Sequence, residues 1–333
     1  MERGFLLGKF MPPHAGHLFL CDVARARVDE LTVLVCSHDA EPIPGSLRAQ
    51  WMRQSLAGQG VRIVHMHRDI PQEPRDHPQF WNIWRDAIFE HHPDPIDWVF
   101  GSEPYIHQLA EVVGARPFLV DDARLNVPVS GSAIRTAPQR HWAHIPLPVR
   151  PYFQRRVTLL GPESTGKSTM SARLAEHFKT LIIPEYGRDY DATFTQGGDW
   201  QPADLIAIAR GHAALATEIA KRAGPMVIED TDLVQTIVWA EMLLGEAPQA
   251  LIDHLDSFTP PALYLLLSPD QPWVDDGTRY HADLKDRTFF YQRLLHWLDR
   301  FETRCVMIEG RSWQHRYKQA DTAIREAFSD LAG

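Results

Sequence analysis

The sequence predicts an α/β protein made of two doubly wound parallel-sheet domains. Short apolar runs of strand length alternate with segments of helical period along most of the 333 residues. Two Gly-rich anion-binding loops of unrelated pattern each follow such a run, one starting at Gly8 and the other at Gly161. Between them, positions 136–153 carry four prolines (Pro138, Pro146, Pro148, Pro151) and no clean period, the mark of a stiff join. The expected domains are residues 1–150 and 151–333, with the boundary near Pro148–Arg156.

Hydrophobic residues at 44% and charged residues at 23% leave ample core for two globular domains. With 34 basic against 43 acidic residues the net charge is −9, and no basic run offsets it, so nucleic acid is not an expected partner. The cysteines Cys21, Cys36 and Cys305 are scattered and lack C-x-x-C spacing, which reads as free thiols in a reducing compartment. The longest apolar runs, such as Ala262–Leu267, are too short to span a bilayer, and no signal peptide precedes the first motif. The expectation is a soluble, cytoplasmic protein with no membrane partner. A homo-oligomer is compatible with the sequence.

In the first half, Gly4–Leu7 reads as a strand and residues 8–17, GKFMPPHAGH, as the loop after it, with helical spacing from Leu18 to Val28. His14 and His17, three apart at a helix start, can face one site. Two imidazoles with no third ligand nearby make a poor metal site. As hydrogen-bond donors to phosphate at a helix N-terminus they make better sense. Leu31–Cys36 is a strand, Leu47–Leu56 a helix, Val61–Met66 a strand, Phe80–His91 a helix and Trp98–Phe100 a strand. Gly101-Ser102-Glu103-Pro104-Tyr105 falls just past the last of these, where open parallel sheets bind ligands. Trp81 and Trp84 share a helix face, and core packing is the commoner role of such a pair. Arg48 and Arg53 fit either phosphate contacts or a solvated helix face, and the second is favoured. Ser130 and Ser132 precede and open a short helix that carries Arg135, an arrangement suited to clamping a triphosphate. Alone, that segment would be no more than a capped helix.

The loop GKFMPPHAGH resembles the G-x-F-x-P-x-H-x-G-H signature of nucleotidylyltransferases, which move a nucleotidyl group from ATP onto a phosphorylated acceptor. Val129–Arg135 resembles that superfamily's I-S-x-T-x-x-R motif, with Val for Ile and Ser132 for Thr. GSEPY resembles the S-S-E-P-Y segment of nicotinamide mononucleotide (NMN) adenylyltransferases. The resemblance implies that Lys9, His14, His17 and Arg135 align and stabilise the reacting phosphates, and that Gly8, Phe10, Ser130 and Ser132 contact ATP. It places the acceptor against Gly101, Ser102, Glu103, Tyr105 and one of the tryptophans Trp81 and Trp84, since those enzymes stack nicotinamide on tryptophan.

The second half opens on the apolar run Val157–Leu160, and residues 161–168, GPESTGKS, match G-x-x-x-x-G-K-[ST] at each constrained position. The backbone from Gly161 through Glu163, Ser164, Thr165 and Gly166 to Thr169 would curl round a phosphate. Lys167 would reach the β- and γ-phosphates, and Ser168 would ligate Mg²⁺. Thr180–Ile183 is a strand ending in Pro184-Glu185-Tyr186-Gly187-Arg188-Asp189, and Ala203–Arg222 is a long helix. Pro225–Ile228 is a strand ending in Glu229-Asp230-Thr231-Asp232, which makes Asp230 a candidate partner of Mg²⁺. Ala262–Leu267 and Cys305–Ile308 are strands and Trp313–Phe328 the last helix. Residues 272–287, with Arg279 and Arg287, read as a mobile lid that brings arginines onto a transferring phosphoryl group. No N-K-x-D segment is present to read guanine.

RPYFQRRVTLLGPESTGKST, PEYGRDY and the D-x-P-W-x-x-D-G-x-R segment resemble the ribosylnicotinamide kinase domain of the NadR family, whose members join the two domains in this order. The resemblance implies NAD salvage with Mg²⁺, ATP, nicotinamide riboside, NMN and NAD as ligands. Tyr186, Arg188 and Asp189 would then contact the riboside. Glu185 and Asp230 are both candidates to handle its hydroxyl proton, with Glu185 preferred for the substrate and Asp230 for the metal. Some members begin with a helix-turn-helix repressor domain; here the first strand starts at Gly4, so no repressor role is expected. Two alternatives stay open: an adenylyltransferase for phosphopantetheine or a flavin mononucleotide fused to another nucleoside kinase, or a non-catalytic sensor of NAD or ATP.

Overall fold

Parallel strands covered on both faces need near-continuous apolar runs, because no polar side chain can reach water from them. The computed structural model, which describes residues 1–196, 198–273 and 283–328, builds its two sheets from such runs. Two compact units result, Met1–Tyr152 and Phe153–Gly333.

The first unit holds β1 (Arg3–Gly8), β2 (Glu30–Ser37), β3 (Val61–His67), β4 (Trp98–Gly101) and β5 (Arg116–Leu119) in the order β3-β2-β1-β4-β5, all parallel. Phe5, Val33, Leu34, Val35 and Val99 are fully buried at its centre. The second unit holds β6 (Arg155–Leu160), β7 (Ile182–Ile183), β8 (Met226–Asp230), β9 (Leu263–Leu267) and β10 (Cys305–Ile308) in the order β10-β9-β6-β8-β7, again parallel. Val157, Leu159, Ile228 and the whole of β9 form its core.

Two elements of the first unit escape a reading of the sequence. The helix Ile106–Val113 is eight residues long, too short for its buried Ile106, Leu109, Ala110 and Val113 to establish a period. The strand β5 is an exposed edge whose Pro117 is tolerated only because no further strand pairs with it. In the second unit β7 is reduced to two residues at the sheet edge. Cys21 and Cys36 are buried free thiols and Cys305 an exposed one. Among the described residues, no helix is long and apolar enough to cross a membrane.

Candidate functional sites

In an open parallel sheet, the crevice forms where neighbouring strands send their connections to opposite faces. In the first unit that point lies between β1 and β4. Residues 8–17 leave β1 there, residues 102–105 leave β4, and the helix Gly131–Thr136 completes the wall. The cavity is about 930 Å³ and is lined by every residue expected in this half: Gly8, Lys9, Phe10, His14, His17, Trp81, Trp84, Gly101, Ser102, Glu103, Tyr105, Ser130, Ser132 and Arg135.

His14 and His17 stack with ring centroids 3.7 Å apart, and the backbone N–H of His14 donates to Nδ1 of His17 at 3.3 Å. Burial, reinforced by the nearby Arg124 cation, pushes His14 down to about 4. Burial also carries His17 well below the usual imidazole range, with His14 and Arg124 adding to the effect. Both rings are neutral at pH 7, and each offers one N–H. Ser130 caps its helix by accepting the N–H of Ala133 at 3.1 Å, while Arg135 donates to the Met11 carbonyl and to Ser132 Oγ at 3.2 Å. The loop after β1 is thereby tied to that helix.

One correction concerns an arginine. Arg48 is not on a solvated face: it is fully buried, donating to Glu41, to the Lys9 carbonyl and to the Cys36 carbonyl at 3.3 Å. Glu41, whose side chain is buried, also pairs with Lys9 Nζ at 3.3 Å. The helix alone hid this, because the partner lies in the preceding loop. Arg53 is exposed as expected. Arg124, unremarked in the sequence, lines the cavity and pairs with Glu103 at 3.2 Å. Of the two tryptophans, Trp84 is buried with Nε1 donating to the Pro71 carbonyl at 2.9 Å, whereas Trp81 is partly exposed on the cavity wall.

In the second unit β6 is central, and residues 161–168 leave it between β8 and β9. Gly161 has φ 151°, and a Cβ there would sit 2.6 Å from the Leu267 carbonyl. Gly166 at φ 86° lies under the Trp313 ring, 2.8 Å from where a Cβ would be. Neither position admits a side chain. Lys167 is buried, its Nζ donating to the carbonyls of Gly161 and Pro162 at 2.8 and 3.0 Å.

The Ser168 hydroxyl lies close enough to the Asp230 carboxylate to favour its charged form. Burial first, and Glu185 next, push Asp230 up to about 6, and its Oδ1 is buried without a hydrogen-bond partner. An orphaned carboxylate oxygen beside a hydroxyl and a lysine fits a divalent cation held jointly with phosphate. Among the described residues, no cluster of three or more His, Cys, Asp or Glu side chains makes a stand-alone metal cage.

A cavity of about 260 Å³ adjoins these groups, and Glu163, Ser164, Gly166, Lys167, Ser168, Thr169, Glu185, Tyr186 and Arg188 line it. Gly161 and Thr165 do not line it: Thr165 is buried within the loop, donating to the Pro162 carbonyl at 2.9 Å. Asp189 is exposed and outside the cavity; Asp191 lines it instead, because PEYGRDY is helical over Tyr186–Tyr190 and turns Asp189 to solvent. Arg287 does not stand on a loop. It is buried in the first turn of the helix Leu284–Leu298, donating to the carbonyls of Glu163 and Gln271 at 3.1 Å, so it braces the phosphate loop. Arg279 lies outside the described residues. Sequence reasoning missed Gln235, whose Oε1 accepts the N–H of Gly161 at 3.1 Å, and the wall residues Trp200, His212 and Trp239. Only the fold brings these to the cavity: Gln235, His212 and Trp239 sit on helices and Trp200 just ahead of one, all far from the phosphate loop in sequence.

Comparison with known proteins follows the same division. Residues 5–141 match the cytidylyltransferase-like family and residues 156–316 an AAA domain family. The trifunctional NAD biosynthesis/regulator protein NadR of Escherichia coli K12 is 32% identical over 98% of this chain and 83% of its own length. The NadR of Salmonella typhimurium LT2 matches at the same identity and coverage. A nicotinamide-nucleotide adenylyltransferase of Methanocorpusculum labreanum is 29% identical over 40% of this chain and 78% of its own. A crystal structure of NadR protein in complex with NR covers 98% of this chain and 96% of that one, with TM-score 0.78 and 23% identity. Another, in complex with NAD and AMP-PNP, has TM-score 0.77 and 22% identity at the same coverage.

Proposed function

The chain belongs to the NadR family, and from that premise we propose how its two sites divide the making of NAD. It is a bifunctional enzyme: the second unit phosphorylates nicotinamide riboside with ATP to NMN and ADP, and the first joins NMN to the AMP moiety of a second ATP, giving NAD and pyrophosphate. The observation that carries this division is that each sheet ends, at its own switch point, in a separate phosphate-binding loop with its own cavity.

In the kinase site ATP lies on residues 161–169. Lys167 leaves the Gly161 and Pro162 carbonyls to offset charge on the transferring phosphoryl group. Ser168 and Asp230 would hold the Mg²⁺ that ATP brings, which supplies Lewis-acid charge stabilisation when bound. Glu185 orients the attacking 5′-hydroxyl and receives its proton. Gln235 keeps Gly161 in place, and Arg287 braces Glu163.

In the other site the nucleophile is already an anionic phosphate, so alignment matters more than a base. His14 and His17 donate to phosphoryl oxygens, with Lys9, Arg124 and Arg135 supplying positive charge. Trp81 offers its exposed face to the nicotinamide ring. The test is to incubate the protein with nicotinamide riboside, ATP and Mg²⁺. NMN and NAD should appear, with ADP equal to their sum and pyrophosphate equal to NAD, and a preparation that makes neither nucleotide would end the reading.

A further inference from the structure

The kinase cavity has one polar wall for which phosphoryl transfer has no use. His212, midway along the helix Pro202–Arg222, is 7% exposed and lines the cavity beside Trp200, Ile208 and Trp239. Its Nε2 lies 3.1 Å from Oε1 of Glu229. Glu229 is itself immobilised: Thr158 donates to Oε2 at 2.5 Å, and Arg156 Nε lies 3.1 Å from the same oxygen. An ionised carboxylate only accepts, so Nε2 carries the proton and Nδ1 is left over. Nδ1 bonds no described residue and is not among the fully buried polar atoms, and the imidazole is one of the side chains that line the cavity.

We propose that His212 is a specificity-determining residue of the kinase, its Nδ1 hydrogen-bonding a polar edge of the acceptor nucleoside, either a sugar hydroxyl or the carboxamide. This rests on the reading of the second unit as a nicotinamide riboside kinase. The indoles and Ile208 bury apolar surface and discriminate little among flat nucleosides. Once the acceptor covers it, a polar atom that must find a partner rejects acceptors lacking that partner. Glu229, gripped from two other sides, holds the ring in one orientation, so the contact is made without reorganisation.

The test is steady-state kinase kinetics on the whole protein. His212→Asn and His212→Phe should raise KM for nicotinamide riboside about tenfold or more, with kcat within about threefold and KM for ATP unchanged, the pattern of lost uniform binding. Glu229→Gln keeps the shape but removes the charge that orients the ring and pairs with Arg156, so it should raise the same KM by a smaller factor. Unchanged KM for ATP shows that the site remains folded. The 2′-deoxy and 3′-deoxy ribosides and the carboxylate analogue of the base then identify the group contacted. The analogue lacking it should already bind poorly to wild type and lose nothing further in His212→Asn. Wild-type KM for the riboside in the His212 variants, or an equal penalty with every analogue, overturns the proposal. A wild-type protein inert toward the riboside would instead bring down the kinase reading on which it rests.

Discussion

The backbone N–H of His14 donates to Nδ1 of His17, which leaves the ring proton of His17 on Nε2. The two rings stack at 3.7 Å, so charge on either would repel the other. Both are therefore held neutral until an anion arrives. A bound triphosphate favours the protonated form and should raise both values.

With His14 at about 4 in the free protein, ATP binding at pH 6 should draw protons from solution. Calorimetry in buffers of different ionisation enthalpy should show this uptake shrinking at pH 8 and in His14→Gln. Heats at pH 6 that do not depend on the buffer would refute it. The same depression has a stability consequence. Between about pH 6.5 and 4 the unfolded chain binds a proton at this position that the folded one refuses, so the His14 contribution falls as pH falls through that window.

Much of this was legible beforehand. Phosphate loops announce themselves because glycine, lysine and hydroxyl at set spacing have few other uses, and long buried strands such as β2 cannot be mistaken for helices. What stayed hidden depended on contacts between distant segments. Arg48 looks like any helix-surface arginine until Glu41 folds over it. Gln235 gains meaning only when its helix is laid against Gly161. Asp189 turns to solvent because PEYGRDY closes into a helical turn over Tyr186–Tyr190, which so short a segment does not announce by period.

The tryptophan pair separates packing from recognition. Trp84→Ala should destabilise the first unit by about 3–5 kcal/mol, because it empties a buried site and leaves the Pro71 carbonyl unpaired. Trp81→Ala should cost far less stability but raise KM for NMN. Thermal unfolding with adenylyl-transfer kinetics reads both, and the reverse pattern would exchange their roles.

Arg48 makes a sharper stability test. Removing one member of a buried ion pair strands the other, at a cost of about 3–5 kcal/mol. Arg48→Met should therefore lower the unfolding midpoint of the first unit strongly and disturb Lys9, whose carbonyl and ammonium both join this network. Arg53→Met, on the same helix but exposed, should change stability by no more than about 0.5 kcal/mol. Equal effects of the two substitutions would show that the buried network is not holding the loop.

The division of labour is tested most directly at Lys167. Its ammonium rests on two carbonyls of its own loop, so replacing it removes no partner on which another element depends. Lys167→Ala should leave the second unit folded while depriving the transferring phosphoryl group of its nearest resident cation. Loss of one such group costs on the order of 3–4 kcal/mol in the transition state, about 10²–10³ in rate. NMN formation from the riboside should fall by that factor. NAD formation from supplied NMN should stay near wild type, because His14, His17 and Arg135 belong to the other compact unit. His17→Ala should do the converse, lowering NAD formation from NMN by about 10² or more and sparing the kinase. Parallel assays of both steps on both variants decide the matter: if either substitution lowered the two rates together in a folded protein, the assignment of one reaction to each sheet would be wrong.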